Sequence, residues 1–249
     1  MHALSAVELR RIVEPSLLRP EATQPDVEAF CHRAVADRFA VCLVEPCWVR
    51  TASAIARGTG LRVGTVAGYP FGASETATKL TEVEAALAAG AQEVDLVMNV
   101  GAFRSRADGV VGAEIRAAAD RVHALPGRVL KVIVETGYLT TEQVERAGPL
   151  IADNGADFVK TGTGYGPRPV TVEDVRRLRA AVGARLRIKA AGGVRTLTEV
   201  AALVGAGADR VGSSHAFRIL AEALGPLPAP AAAHHPSTQA LVGHLDDVR

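Results

Sequence analysis

Short runs of β-branched residues alternate with longer, alanine-rich segments of helical character along most of this chain. Seven runs are clear and one is weaker; they are Ala40–Val44, Arg62–Ala67, Glu93–Asn99, Val129–Glu135, Asp157–Thr161, Leu186–Ala190, Arg210–Ser213 and, weaker, Ile12–Leu17. Helical segments between them include Trp48–Arg57, Ala73–Ala89, Thr141–Asn154, Val172–Val182 and Leu197–Val204. Strands that alternate with helices build a parallel sheet through right-handed crossovers.

Eight such strands in a chain of 249 residues predict an α/β fold of the TIM (β/α)8 barrel type. An open doubly wound sheet is the alternative, but no strand leads into a helix through a G-x-G-x-x-G turn. We expect a single domain over residues 1–225. Residues 226–249 are rich in Pro and Ala, which predicts a mobile extension instead of another packed element.

Composition argues against several classes of partner. The chain has 28 Lys and Arg against 27 Asp and Glu, so its charge gives no reason to expect nucleic acid or a membrane surface. No apolar stretch approaches the ~20 residues that cross a bilayer, and the N-terminus lacks the order of a secretory signal. Three cysteines are too few for a disulfide framework. We therefore expect a soluble, compact, cytoplasmic protein.

The same type of helix-to-strand loop occurs three times in the sequence and places three strand residues at the same level of the barrel. Each copy closes a helix with Gly and opens a strand; the copies are Ala89–Gln92, Asn154–Asp157 and Ala206–Asp209. The fifth residue after each Gly is Asp95, Lys160 or Gly212. These three residues should share a level and a side-chain direction on their strands. In a TIM barrel the active face is the one where the strands end.

Lys160 and Lys189 are unusual because each interrupts a strand otherwise suited to burial. An inward lysine is costly unless it is paired or neutralised, although either one alone could reach solvent or a carboxylate from a strand end. Two such lysines on nearby strands, with Asp95 on a third strand, instead favour a catalytic role for a lysine amine. A neighbouring cation and desolvation both lower the pKa of an ammonium group, which yields a neutral nucleophile for Schiff-base catalysis. Asp95 could neutralise a lysine, carry a proton, or do both.

Glycine-rich turns after the last two strands indicate a phosphate site. They contain Gly192 and Gly193, then Gly212, Ser213 and Ser214, and each leads into a helical segment whose N-terminus can face an anion. We expect no metal and no other cofactor, because the histidines are scattered and Cys42 and Cys47 lack a second metal-binding pair. His234 and His235, in the extension, are most simply solvated.

Five long segments together resemble the deoxyribose-phosphate aldolases. They are Gly64–Ala73, Glu93–Asn99, Lys131–Thr136, Asp157–Gly164 and Ile188–Thr196, and the resemblance runs from about residue 12 to residue 220. It implies a cofactor-free class I aldolase on a TIM barrel. Such enzymes reversibly cleave 2-deoxy-D-ribose 5-phosphate to acetaldehyde and D-glyceraldehyde 3-phosphate.

The resemblance also implies a role for individual residues. Lys160 matches the Schiff-base lysine, Lys189 matches the second lysine that lowers its pKa, and Asp95 matches the proton-relay aspartate. Positions around the sugar phosphate are matched by Thr163, Gly192, Gly193, Ser213 and Ser214. A homodimer or homotetramer is implied by the family alone.

Three departures from the family pattern bear on the pocket. The usual Asp-His-Thr-Leu-Leu-Lys-Pro is Glu14–Pro20 here, the usual Asn-Pro is Glu45-Pro46, and the usual Lys-Thr-Ser-Thr-Gly has Gly162. We expect Glu14 and Glu45 near the active face, where they could reshape the pocket or repel a second anionic group. Cys42 and Lys131 are further candidates for the pocket wall, although a cysteine on a strand is most simply a small core residue.

Other assignments stay open from the sequence. Glu75, Glu135 and Arg195 could line the site or could equally have surface or ion-pair roles. Two other functions compete with the deoxyribose-phosphate aldolase. One is a related lysine aldolase with a different carbonyl substrate pair, phosphorylated or unphosphorylated, and the other is a phosphosugar-binding barrel without catalysis.

Overall fold

The computed structural model describes residues 4–225, whose eight strands form one closed barrel. All neighbouring pairs are parallel, and their order around the barrel follows the chain: β1 Val13–Leu17, β2 Val41–Val44, β3 Arg62–Ala67, β4 Glu93–Val97, β5 Val129–Ile133, β6 Phe158–Lys160, β7 Arg187–Ala191 and β8 Arg210–Ser213. The expected TIM barrel is confirmed, and the pairing of β1 with β8 excludes the open sheet. The predicted extension at 226–249, with His234 and His235, lies outside the described residues.

Helices fill the connections between the strands and surround the barrel. They are α1 Ala6–Ile12, α2 Gln24–Ala36, α3 Val49–Ala56, α4 Thr76–Ala89, α5 Val100–Arg104, α6 Asp108–His123, α7 Thr141–Asp153, α8 Val172–Val182, α9 Leu197–Gly205 and α10 Ala216–Leu224. Short 3₁₀ turns follow β2 at Pro46–Trp48 and β5 at Thr136–Tyr138. None of these helices is long and apolar enough to span a membrane.

Local sequence explains where many of these helices begin and end. Reciprocal capping boxes start five of them, with the N-cap residues Ser5, Thr23, Thr140, Thr171 and Thr196. The glycines of the three repeated loops have positive φ, at 109°, 85° and 110° for Gly90, Gly155 and Gly207. Glycine adopts this left-handed conformation without a Cβ penalty, so each helix can turn sharply into the next strand.

All eight expected runs became strands, with bounds that differ by two residues at most. The largest differences are at β4 and β5, which end before the predicted Asn99 and Glu135. Asn99 instead caps α5, where its side chain accepts a hydrogen bond from the backbone N–H of Ala102. Glu135 has φ 53°, a left-handed conformation that cannot continue a strand.

Alternating strand residues face two different environments. One set packs against the helices and forms the main apolar core, with members such as Val94, Val132, Val159 and Ile188. The other set fills the inside of the barrel and contains most of the buried charge. Polar strand residues can therefore contact one another only where they face the inside of the barrel.

Candidate active site

Inward side chains are arranged in layers, each contributed by every second strand. The register places Leu43, Asp95, Lys160 and Gly212 in one layer on the even-numbered strands. One residue lower, the odd-numbered strands contribute Glu14, Gly64, Lys131 and Lys189. The next even layer contains Val41, Glu93, Phe158 and Arg210. Asp95, Lys160 and Gly212 therefore share a level, as the repeated glycine loop predicts.

Asp95 is the centre of a cluster of three lysines. Its Oδ2 accepts hydrogen bonds from Lys160 Nζ at 2.9 Å and from Lys189 Nζ at 2.8 Å. Its Oδ1 accepts one from Lys131 Nζ at 2.9 Å. All four side chains are buried, and Lys160 is the most exposed of them at only 3%. A single carboxylate thus connects the two lysines that the sequence singles out, together with a third.

A second group of charges lies below this cluster. Glu14 accepts hydrogen bonds from Lys189 Nζ and, at 2.8 Å, from a terminal nitrogen of Arg210. Glu93 Oε2 lies 2.6 Å from Lys131 Nζ and accepts a hydrogen bond of 2.8 Å from the same Arg210 nitrogen. Three carboxylates thus face three lysines and Arg210. Arg62 also lies 3.0 Å from Glu93, so positive groups outnumber the carboxylates, and a neutral Lys160 reduces this excess.

The surroundings set the protonation of the buried groups. Burial lowers the pKa of Lys160 to about 8, with help from the positive charges of Lys189 and Lys131 and against the opposing effect of Asp95. Burial alone would raise the pKa of Asp95, but the three lysines hold it well below its ordinary value. The pKa of Glu14 falls to about 2 because Lys131 and Lys189 outweigh its desolvation. Both carboxylates are therefore ionised at neutral pH, while Lys160 can release its proton.

A cavity of about 370 Å³ opens above Lys160 and Lys189 at the face where the strands end. All residues predicted around a sugar phosphate line it, namely Thr163, Gly192, Gly193, Gly212, Ser213 and Ser214. Gly193 has φ 81°, and a Cβ there would lie 2.8 Å from Pro169 Cβ, so this turn requires glycine. Arg195, left open by the sequence, also lines the cavity and is exposed, which places a cation beside the glycine turns.

The four residues expected at the pocket wall are not part of it. Glu14 and Lys131 lie in the layer below, and the expected repulsion by Glu14 is wrong because Lys189 and Arg210 neutralise its charge. Cys42 faces outward, in the apolar core beside Cys31 of α2, because the neighbouring Leu43 takes the inward position. Glu45 is half-buried at the start of the turn after β2, outside the cavity.

Glu135 supports the cavity wall by holding Thr163 in place. Its Oε2 accepts hydrogen bonds from the backbone N–H of Thr163, at 3.0 Å, and from the Thr163 hydroxyl. A Cβ at Gly162 would lie 2.8 Å from Glu135 Oε1, so glycine in place of the family's usual serine leaves room for this carboxylate. Of the other residues left open, Glu75 precedes α4 and does not line the cavity.

Sequence reasoning missed two further groups of residues. Glu93 and Arg210 complete the charge network, and their strand parity, two residues before Asp95 and Gly212, was the available signal. Tyr69 and Tyr165 line the cavity and meet edge to face, with ring centroids 5.7 Å apart. The Tyr69 hydroxyl donates a 2.9 Å hydrogen bond to the Thr163 carbonyl. Loop contacts of this kind leave no periodic signal in a sequence.

Comparison with known proteins decides the family. A sequence profile of the DeoC/LacD family aldolases matches residues 13–214. The chain belongs to this aldolase family. It is 39% identical over 217 residues to a deoxyribose-phosphate aldolase from Desulfitobacterium hafniense (strain DSM 10664 / DCB-2), covering 87% of this chain and 99% of the relative. A deoxyribose-phosphate aldolase from Bacillus subtilis (strain 168) is 41% identical over 215 residues, covering 86% of this chain and 95% of the relative.

Solved aldolase structures share the barrel. A structure described as "QR15, an Aldolase" superposes with a TM-score of 0.83 at 35% identity, covering 88% of this chain and 96% of that one. The deoxyribose phosphate aldolase from Aeropyrum pernix, described as having a unique tetrameric structure, gives a TM-score of 0.78 at 30% identity, with coverage of 87% and 91%. The family resemblance expected from the sequence is thereby confirmed, and the buried lysine cluster lies inside a family aldolase fold.

Proposed function

We propose that this aldolase reversibly cleaves 2-deoxy-D-ribose 5-phosphate to acetaldehyde and D-glyceraldehyde 3-phosphate through a Schiff base on Lys160. The observation that carries this proposal is the Lys160–Asp95–Lys189 cluster at the floor of the cavity. Lys160 combines a lowered pKa with access to the cavity, whereas Lys131, the other lysine on Asp95, lies in the layer below and does not line it. The names of the relatives support the substrate.

The chemistry follows from the position of the amine. Neutral Lys160 Nζ attacks carbon 1 of the open-chain sugar, and loss of water leaves a protonated imine. The bond between carbons 2 and 3 then breaks as the hydroxyl on carbon 3 loses its proton, and the imine accepts the electron pair to become an enamine. Protonation of carbon 2 and hydrolysis release acetaldehyde. Asp95 and Lys189, acting directly or through water, are the groups placed to move these protons.

The cavity wall formed by the ends of β7 and β8 and the turns after them suits a phosphate. Gly192, Gly193 and the Gly212–Ser214 turn provide open backbone beside the hydroxyl of Ser214, and Arg195 and Arg19 line the same cavity. Backbone N–H groups and guanidinium groups are common ligands of phosphate oxygens. The proposed mechanism uses amines and carboxylates of the chain, so it requires no metal or organic cofactor.

Trapping the imine tests this function directly. The protein is incubated with acetaldehyde and borohydride, and the adduct is located by peptide mass spectrometry. The chain has only four lysines, all of them buried, so few other amines compete. We expect one reduced two-carbon adduct on Lys160 and none in Lys160→Ala, with Lys79→Met as the lysine control outside the cluster.

Other outcomes contradict the proposal in distinct ways. An adduct on Lys189 in place of Lys160 would reverse the two roles. Binding of the sugar phosphate without any adduct would favour a non-catalytic barrel. Imine formation with turnover only of unphosphorylated substrates would favour the related aldolase, which product analysis with and without the phosphate distinguishes.

We also propose that the barrel forms a homodimer or homotetramer and acts in the cytoplasm on small aldehydes and sugar phosphates. The tetramer described for the relative from Aeropyrum pernix supports the first part. Light scattering coupled to size-exclusion chromatography checks the assembly, and a monomeric mass at micromolar concentration would contradict it.

A further inference from the structure

A second cavity lies at the opposite face of the barrel, where strands β3 to β5 begin. It has a volume of about 600 Å³ and is bordered by the ends of α3 and α4. Four arginines line it, and we call it the arginine cleft: Arg50, Arg57, Arg62 and Arg128. Among the described residues, no Asp or Glu lines this cleft.

The positive charge of the cleft is poorly compensated. Arg62 lies 3.0 Å from Glu93, which it shares with Lys131 and Arg210. In the described range 4–225, the other three arginines form no ion pair with a carboxylate. The ends of α3 and α4 each add about −0.5 of an elementary charge, which leaves an excess of about two positive charges.

Two polar atoms in the cleft also lack partners. Ser53 Oγ and Arg128 Nε are buried without a hydrogen bond to any described residue. Both can donate, and buried donors normally have an acceptor. Unpaired donors beside uncompensated guanidinium groups are the complement of a multiply charged oxyanion.

We propose that the arginine cleft binds a small phosphate-bearing anion with two or more negative charges. Guanidinium groups present planar pairs of N–H donors that match phosphate oxygens. The volume of the cleft falls within the range of roughly 300–1,000 Å³ typical of small-molecule sites. This site is separate from the cavity above Lys160 because the two lie at opposite ends of the strands, and it does not depend on the proposed aldol reaction.

Calorimetry with inorganic pyrophosphate at constant ionic strength tests the proposal. Arg57→Gln/Arg128→Gln removes two cleft charges, and Arg11→Gln/Arg176→Gln removes two exposed arginine charges elsewhere. We expect the cleft variant to bind about tenfold or more weakly, since loss of charged hydrogen bonds costs at least that much, and the control to stay within about twofold. Thermal melting verifies that both variants are folded.

Hydrogen–deuterium exchange separates this site from the phosphate-binding turns above Lys160. Pyrophosphate should slow exchange around residues 57–62 and 89–93 in the wild-type protein. Equal affinity of the two double variants would overturn the proposal. So would protection confined to residues 192–196 and 212–216, because pyrophosphate would then bind only at the active face.

Discussion

The protonation of Lys160 is the property of a single residue that most directly controls the proposed reaction. Its pKa is about 8, so the neutral fraction rises about tenfold per pH unit below pH 8 and levels off above it. We expect kcat/KM to follow this rise between pH 6 and pH 8. A pH–rate profile of deoxyribose 5-phosphate cleavage measures it, and a flat profile over this range would contradict the neutral-amine nucleophile.

Replacing Lys189 tests how that pKa is set. Lys189→Leu removes a positive charge that lowers the pKa of Lys160, so the pH–rate profile should move to higher pH as well as lose amplitude. Arg195→Gln is the control, because it removes a charge from the cavity wall without touching the cluster. A profile that keeps its midpoint in Lys189→Leu would show that Lys189 does not influence the protonation of Lys160.

Thr163 can present only an acceptor to the cavity. Its hydroxyl donates to Glu135 and accepts from the backbone N–H of Tyr165 at 3.0 Å. We therefore expect it to recognise a hydroxyl of the substrate. Thr163→Val should lower kcat/KM about 5- to 20-fold for glyceraldehyde 3-phosphate in the synthesis direction, and hardly at all for 3-oxopropyl phosphate, which lacks that hydroxyl.

Glu135 provides the control for this prediction. Glu135→Gln keeps a carbonyl oxygen that can accept from Thr163 and should preserve the discrimination between the two aldehydes, whereas Glu135→Leu should lose it. If Thr163→Val lowered kcat/KM equally for both aldehydes, the threonine would stabilise the loop and would not recognise the substrate hydroxyl.

At the level of single elements, β8 determines where the end of Lys189 can lie. A Cβ on Gly212 would be 2.9 Å from Lys189 Cε and 3.2 Å from Ala191 Cβ. Gly212→Ala should push the Lys189 amine away from Asp95 and lower kcat at least tenfold, with little loss of stability because the end of a lysine is flexible. Steady-state kinetics and thermal melting measure the two effects. Gly205→Ala, with nothing within 4 Å, is the matched control, and an equal kcat in the two variants would contradict the prediction.

The strands also show how far the sequence could predict this site. Period-two patterning and the repeated glycine loop were sufficient to place Asp95, Lys160 and Gly212 on one level, because both are local properties. The direction of the Cys42 side chain was not predictable in this way. All four residues of Val41–Val44 are apolar and buried, so the sequence does not show which alternate residues face inward, and only pairing with β1 and β3 decides it. Glu14 and Arg210, separated by 196 positions, meet only because β1 pairs with β8.

Over the whole molecule, positive charge is divided by residue type. All four lysines are buried, so the exposed basic residues of the described chain are arginines and histidines. Three of the lysines share Asp95 inside the barrel, and Lys79 pairs with Glu114 outside it at 2.8 Å. The barrel therefore uses ammonium groups only where a carboxylate holds them, and only Lys160 combines access to the cavity with a lowered pKa.

Amine labelling can measure this division in one experiment. Reductive methylation near pH 8 should modify the α-amino group and Lys160 in the native protein, and all four lysines plus the α-amino group after unfolding in guanidinium. Intact mass spectrometry counts the labelled amines. Lys160→Ala should leave the α-amino group alone reactive in the native state, because Lys131 and Lys79 do not line the cavity and Lys189 stays paired with Glu14 and Asp95. Rapid native labelling of Lys131 would instead mean that the charge network around Asp95 opens without unfolding, and the burial that lowers the pKa of Lys160 would then not be maintained in the native protein.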